Sequence, residues 1–261
     1  MRRGIVLTSI LLLASCGGDE KAPPTLDVVA SEITFKSVER LGPHHLLATI
    51  EQEDDWTNGG REAHDETMEL AWNNWDSFHL RRVVRGSTMG ETIMSEGSAF
   101  SRNRNTRWKA EMDSEPARLR VQRNWNVWDT AMEVFDGRIL LTETESSIVD
   151  GRAVQGFKVS LAPLPPGTRI RSGNLTPVSI EGEVWLDEAT AVRLSADVTA
   201  KAEQDGLTRT VVLHLRRSAV GEEHTIVRPQ APVQPSTEVL RERMKGRPPS
   251  KSPDKPKATN P

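Results

Sequence analysis

Cys16 is the only thiol in the 261-residue chain, and it follows a segment with the features of an export signal. Two arginines, Arg2 and Arg3, precede an apolar run from Gly4 to Ala14. A positive start, a short apolar core and small residues before the break are the parts of such a signal. The run is too short to cross a bilayer of about 30 Å as a helix. With no second cysteine, the thiol can form no internal disulfide, so the stability of the fold must come from burial.

The segment Leu13-Ala14-Ser15-Cys16 closely resembles the bacterial lipobox, in which a leucine and two small residues precede a cysteine. The resemblance implies cleavage after a signal peptide of residues 1–15, with lipid attached to the Cys16 thiol and to the new amino terminus. It also implies a permanent anchor in the bacterial cell envelope, facing the periplasm, because such lipoproteins carry three acyl chains. Gly17 in place of Asp favours sorting to the outer membrane. The alternative is an ordinary secretory signal with a chance cysteine.

No other group of side chains indicates catalysis or metal binding. The adjacent His44 and His45 would point to opposite faces of a strand, which is poor geometry for one metal ion. The acidic run from Glu51 to Asp55 lacks the ligand spacing of a calcium loop, and the chain has no G-x-S-x-G elbow. The sequence therefore predicts a protein without a cofactor, a metal site or enzymatic activity.

The segment from Ser101 to Arg107 is a basic, polar turn. Two interpretations are open. The turn either binds an anionic head group near the mouth of a cavity or is a plain surface loop.

One stretch has helical periodicity. Large apolar side chains recur at intervals of 4, 3, 4 and 3, which forms a stripe on a helix of about residues 115–135: Val121, Trp125, Trp128, Met132 and Phe135. Asp113 or Ser114 can cap the start of this helix, and Pro116 fits its first turn. Together with Trp72, the stripe either lines a lipid-sized cavity or packs as an ordinary core.

Most of the remaining chain has the period-two pattern of half-buried strands. From Val192 to Lys201 the apolar residues occupy one face, and polar residues such as Arg193 occupy the other. Gln204-Asp205-Gly206 then supplies a hairpin turn, and Asp150-Gly151 supplies a second one. The sequence thus predicts a mainly β fold of the α+β class. We expect a curved antiparallel sheet or incomplete β-barrel, with the amphipathic helix packed on its concave face.

This arrangement resembles the LolA/LppX-like lipoprotein carriers of bacterial envelopes. The likeness rests on the helix from Glu115 to Phe135, on the hairpin from Val149 to Val159, and on Glu183–Asp187 leading to Val192-Arg193. It implies an incomplete barrel closed by helices around an apolar cavity, and it implies lipid binding without catalysis. The first long helix of these carriers is not evident, because Ser31 to Arg40 forms a short one at most.

Composition divides the chain further. Residues 16–25 are a flexible tether, residues 26–228 form one LolA-like domain, and residues 229–261 are a disordered tail rich in Pro, Lys and Arg. The formal net charge is −3, but the tail holds seven basic and three acidic side chains, which leaves an acidic body. An acidic body argues against nucleic acid as a partner.

The expected partners are therefore the membrane, through lipidated Cys16, and a lipid or acyl chain held in the cavity. In this hypothesis the ligand contacts Trp72 and the five residues of the helix stripe, and the protein is an acceptor or holder that performs no chemistry. The rival hypothesis is a scaffold or sensor lipoprotein with a filled core that docks another envelope protein.

Overall fold

The computed structural model describes residues 35–104, 106–125, 127–135, 138–164 and 174–230. Cys16, the predicted signal peptide, the predicted tether and all but the first two residues of the predicted tail lie outside these ranges. Within them, the chain forms one antiparallel sheet of eleven strands with a few short helices. The predicted mainly β fold, in which a curved sheet carries a mid-chain helix on its concave face, is confirmed.

The strands are β1 His44–Trp56, β2 Arg61–Asn74, β3 Ser77–Val84, β4 Ser87–Ser95, β5 Ser98–Asn103, β6 Lys109–Ala110, β7 Ile139–Val149, β8 Arg152–Leu161, β9 Thr176–Asp187, β10 Arg193–Gln204 and β11 Leu207–Ser218. The helices are α1 Phe35–Leu41, α2 Glu115–Trp125 and α3 Val127–Met132, and a 3₁₀ turn, Glu133–Phe135, follows α3. None of these described helices combines the length and the apolar character that crossing a membrane requires.

The sheet is a meander that reverses its direction of growth once. Its strand order is β6-β5-β4-β3-β2-β1-β11-β10-β9-β8-β7, so the first and last strands lie side by side at its centre. The sheet is open, and in the described part of the chain β6 and β7 are its two edges. The fold is thus an open curved sheet rather than a closed barrel.

Two-residue turns set the register of the hairpins. Asp150-Gly151 and Asp205-Gly206 have positive φ at both positions, which is the geometry that matches the twist of the flanking strands. Both turns were predicted from the Asp-Gly pairs. Arg85-Gly86 and Glu96-Gly97 also have positive φ at both positions, although neither pair is among the dipeptides that most favour this turn.

The concave face of the sheet is the apolar one. Ala48 of β1 pairs with Met68 of β2 and with Leu215 of β11, and Leu215 pairs in turn with Ala196 of β10. All four side chains are buried. Because the period of a strand is two, one register places the whole apolar set on the same face.

The segment predicted as one helix contains α2, α3 and the 3₁₀ turn, and its limits agree with the prediction. The Asp113 carboxylate accepts a hydrogen bond of 3.0 Å from the amide of Glu115, as expected for a cap. Tightening into a 3₁₀ turn is common at the end of a helix. α2 contacts β4 and β5, α3 contacts β11, and the 3₁₀ turn contacts β9, so the segment crosses the sheet.

Arg193 does not lie on the wet face that the alternation indicates. A β-bulge between Arg193 and Ser195 shifts the pairing with β9, and the Arg193 side chain is buried under α3. Its guanidinium carbon lies 4.4 Å from the centre of the Trp128 ring, which is a cation–π contact. Burial lowers the pKa of Arg193 to about 10.

Two of the segments behind the likeness to envelope carriers meet in space. Arg152, which follows the Asp150-Gly151 turn, donates hydrogen bonds of 2.6 and 2.9 Å to the Asp187 carboxylate at the end of β9. The Thr190 amide and hydroxyl also donate to this carboxylate. Burial raises the pKa of Asp187, but the hydrogen bonds from Arg152 and Thr190 outweigh it and hold the pKa below its ordinary value.

Replacing Gly182 by alanine is expected to destabilise the sheet by about 3 kcal/mol or more. Gly182 has a φ of 152°, and an added Cβ would lie 2.1 Å from the Asp197 carbonyl oxygen and 2.7 Å from the Val198 Cα. Both are backbone atoms, so β10 would have to move away from β9. Urea unfolding of Gly182→Ala measures the loss, with Gly90→Ala on β4 as the control, where the nearest atoms to a Cβ are at 3.7 and 3.9 Å. Equal stability of the two variants would contradict this account.

Candidate functional site

The residues predicted to line a cavity lie in the packed core where they are described. Trp72 and Phe135 are 1% exposed, and the other described members of the set are also buried: Val121, Trp128 and Met132. The side chain of Trp125 lies outside the described part of the structure. Trp72 stacks on Phe78 with 5.8 Å between ring centres, and the Trp75 ring lies nearly perpendicular to the Trp72 ring with 4.8 Å between their centres. A ligand-binding role for the stripe therefore remains a prediction.

A larger space lies beside this core, between strands β3 to β5 and helix α2. Its volume is about 770 Å³, and four arginines line it: Arg82, Arg104, Arg120 and Arg123. Leu80 and Met89 supply apolar surface. We call this space the arginine groove.

A second space of about 130 Å³ adjoins the arginine groove. Its apolar wall comes from the sheet and from α3, and Glu66 and Thr130 also line it; the apolar residues are Ala48, Ile50, Met68 and Val127. Arg82 and Arg123 line both spaces, so the two meet at these side chains. We call the smaller space the apolar annex.

The register of the sheet explains why an apolar wall passes into a polar one. One row across the concave face runs from Ala48 to Met68, then to Arg82, Gly90 and Asn103. The first two positions are buried under the helices, whereas the last three face the arginine groove. A single row of paired residues therefore forms both the annex and the groove.

Two of the four arginines are neutralised by carboxylates. Arg82 donates hydrogen bonds of 2.5 and 2.7 Å to Glu66, and the pKa of Arg82 is raised by this pairing. Arg120 donates to Glu111 and, over 2.9 Å, to the Thr92 hydroxyl. These two side chains are therefore held in place before any ligand arrives.

The remaining two arginines are exposed and lie on different elements. Arg104 stands in the predicted basic turn between β5 and β6, and Arg123 lies one helical turn after Arg120 on α2. Within the described residues, neither side chain forms an ion pair or a hydrogen bond. The sequence marked the turn but gave no sign that α2 faces it.

The turn itself is fixed by hydrogen bonds. The Arg104 amide donates to the Met89 carbonyl over 3.1 Å, which ties the turn to β4. The Thr106 hydroxyl donates to the Asn103 carbonyl over 2.7 Å. Arg104 is thus presented from an ordered backbone.

The histidines and carboxylates of the described residues form no metal-binding site. Among the described residues, no group of three or more His, Cys, Asp or Glu side chains is placed to hold a metal ion. His44 is buried and His45 half-buried, and burial together with the Arg217 charge lowers the pKa of His44 to about 3. Asp54, from the acidic run, is buried and forms a bidentate ion pair with Arg209, whose guanidinium nitrogens lie 2.6 and 2.7 Å from the carboxylate oxygens.

No family model and no curated protein sequence matches the chain. Similar solved structures include LprF from Mycobacterium bovis, with 12% identity and a TM-score of 0.31. The match covers 80% of this chain and 98% of that one. A putative outer membrane lipoprotein-sorting protein domain from Vibrio parahaemolyticus has 10% identity, a TM-score of 0.22 and coverages of 74% and 92%. A LolA superfamily protein from Nitrosomonas europaea has 5% identity, a TM-score of 0.20 and coverages of 74% and 93%. Likeness of this strength establishes no family and no function.

Proposed function

We propose that this protein is a lipid-anchored protein of the bacterial cell envelope that holds a lipid or acyl chain without catalysing a reaction. Cys16 carries the anchor, and the body faces the periplasm from the outer membrane. The ligand occupies the arginine groove and extends its apolar part into the apolar annex.

The observation that carries this proposal is the junction of the two spaces beneath α2 and α3. Ligand sites are typically concave, largely preformed and about 300–1,000 Å³ in volume, with mostly apolar walls and a few polar groups. The arginine groove is about 770 Å³ and adjoins the annex at Arg82 and Arg123, which line both spaces. An amphiphile matches a space that is polar at one end and apolar at the other.

In this function the ligand lies beside the helix stripe and not against it. Val121 and Trp128 pack against the sheet, where they support α2 and α3 from below. Arg120 and Arg123 face the groove from the same helical segment. The stripe thereby positions the wall of the site, and a contact with the ligand is not required of it.

Native mass spectrometry of the chain from residue 16, carrying Cys16→Ser so that no lipid is attached, tests the proposal. We expect a co-purified lipid or the uptake of one equivalent of a fluorescent fatty acid. A protein that carries no lipid and takes up no fatty acid at micromolar concentration is incompatible with the holder function.

A specific feature favours the rival function of docking another envelope protein. Strand β7 pairs with β8 alone among the described strands, and it leaves Leu140 and Ile148 exposed by 48% and 74%. A free edge presents unpaired backbone groups to which a partner can add a strand. A photo-crosslinking residue at position 148 should then capture one envelope protein in cells. If it captures no protein, the docking function is contradicted and the holder function is the one that remains.

A further inference from the structure

We propose that Arg104 and Arg123 form an anion-recognition pair that selects amphiphiles with a negatively charged head. This inference rests on the proposed function and names the class of ligand. The basic side chains that line the arginine groove outnumber the carboxylates available to pair with them.

The carboxylates near the groove are already engaged. Glu66 is bound by Arg82, and Glu111 is bound by Arg120. Glu91, which also lines the groove, is paired with Arg102, which lies outside the lining, and with Arg81 at 3.5 Å. Each of these acids therefore has its own basic partner, and the charges of Arg104 and Arg123 remain uncompensated within the described residues.

The two uncompensated arginines approach the groove from different sides. Arg104 comes from the turn after β5, and Arg123 comes from α2. A guanidinium presents donors in a planar fork that fits a carboxylate or a phosphate. Two such groups that line one groove can recognise the same oxyanion.

The position of Arg123 connects this anion to an acyl chain. Arg123 lines both the groove and the apolar annex, as does Arg82, whose charge Glu66 neutralises. An oxyanion held at Arg123 therefore has an apolar space next to it, lined by Met68 and Val127. The geometry fits a ligand in which the anionic group is joined directly to a hydrocarbon tail.

Affinities of ligands with one shared tail test the inference. Decanoate, decyl phosphate and neutral decanol are measured by displacement of a fluorescent fatty acid from the Cys16→Ser chain, with inorganic phosphate as a fourth competitor. We expect both anionic amphiphiles to bind at least about tenfold more tightly than decanol, since hydrogen bonds to charged groups contribute more than neutral ones. We also expect their affinity to fall as salt is added, while that of decanol does not.

The double variant Arg104→Gln/Arg123→Gln should bring the anions to the affinity of decanol and leave decanol unchanged. Arg107→Gln is the matched control, because Arg107 is exposed in the same turn but does not line the groove. Equal binding of decanol and the anions by the unaltered chain would overturn the anion pair and leave the holder function intact. Failure of every amphiphile to bind would overturn both. Competition by inorganic phosphate as strong as that of decyl phosphate would make the site one for free phosphate and overturn the lipid-head assignment.

Discussion

Replacing Gly90 by leucine is expected to lower the affinity for an acyl ligand by about 30-fold while leaving the melting temperature within a few degrees of its original value. Gly90 lies in β4, between Arg82 and Asn103 in the row that faces the arginine groove. A Cβ at this position meets nothing closer than the Asn103 Oδ1 at 3.7 Å. The rest of a leucine side chain would therefore project into the groove and take space from the ligand without straining the sheet. Overpacking a site costs about 2 kcal/mol, which corresponds to the stated loss of affinity.

Gly90→Ala is the matched control, since its single methyl group leaves most of the groove open. Titration with a fluorescent fatty acid and thermal unfolding are followed on both variants. If Gly90→Leu binds the fatty acid as tightly as Gly90→Ala, the ligand does not occupy the arginine groove. If Gly90→Leu melts far below both Gly90→Ala and the unaltered chain, the loss of binding must be attributed to unfolding.

Acidification from pH 7 to pH 4 is expected to lower the free energy of unfolding by about 3 kcal/mol through His44 alone. Burial lowers the pKa of His44 from 6.5 to about 3, and the charge of Arg217 acts in the same direction. The unfolded chain takes up a proton near pH 6.5, whereas the folded chain resists it until about pH 3. The contribution of His44 is therefore complete above pH 6.5 and is lost as the pH falls through this window.

Urea unfolding at pH 7, 6, 5 and 4 measures this dependence. His44→Asn should flatten it, because an asparagine amide can donate to the Gly42 carbonyl as the His44 Nδ1 does, over 2.9 Å, without taking up a proton. His214→Asn serves as the control, because that imidazole is exposed beside Asp197. His79 is half-buried and its pKa is also lowered by burial, so part of the dependence should persist in His44→Asn. An unchanged slope in His44→Asn would contradict the assignment to His44.

The sheet was largely predictable, because its information is local. Asp150-Gly151 and Asp205-Gly206 specify their own turns, and the alternation after Val192 specifies which face is buried. The exception is Arg193, which a β-bulge turns into the core. A bulge depends on how two strands pair, and the sequence of one strand does not contain that information.

The candidate site was far less predictable, because it exists only in the folded register. Arg82, Gly90 and Asn103 come from three strands and meet through two pairings. Arg123 belongs to the side of the helix that the hydrophobic pattern assigns to water. The pattern distinguishes an apolar from a polar side, but it does not show which polar residues face a groove. Only the basic turn around Arg104 was marked, as one of two interpretations.

The adjacency of β1 and β11 has a consequence for how the chain acquires its structure. The pairing joins His45 to Ser218, so the contact closes a loop that includes nearly the whole domain. Contacts this distant in sequence form slowly, because the chain must lose much freedom before they stabilise it. The hairpins on either side can form early, yet β1 then keeps one unpaired edge that invites association with other chains. A newly made chain therefore passes through a partly folded, aggregation-prone state. This state persists until β11 pairs with the open edge of β1.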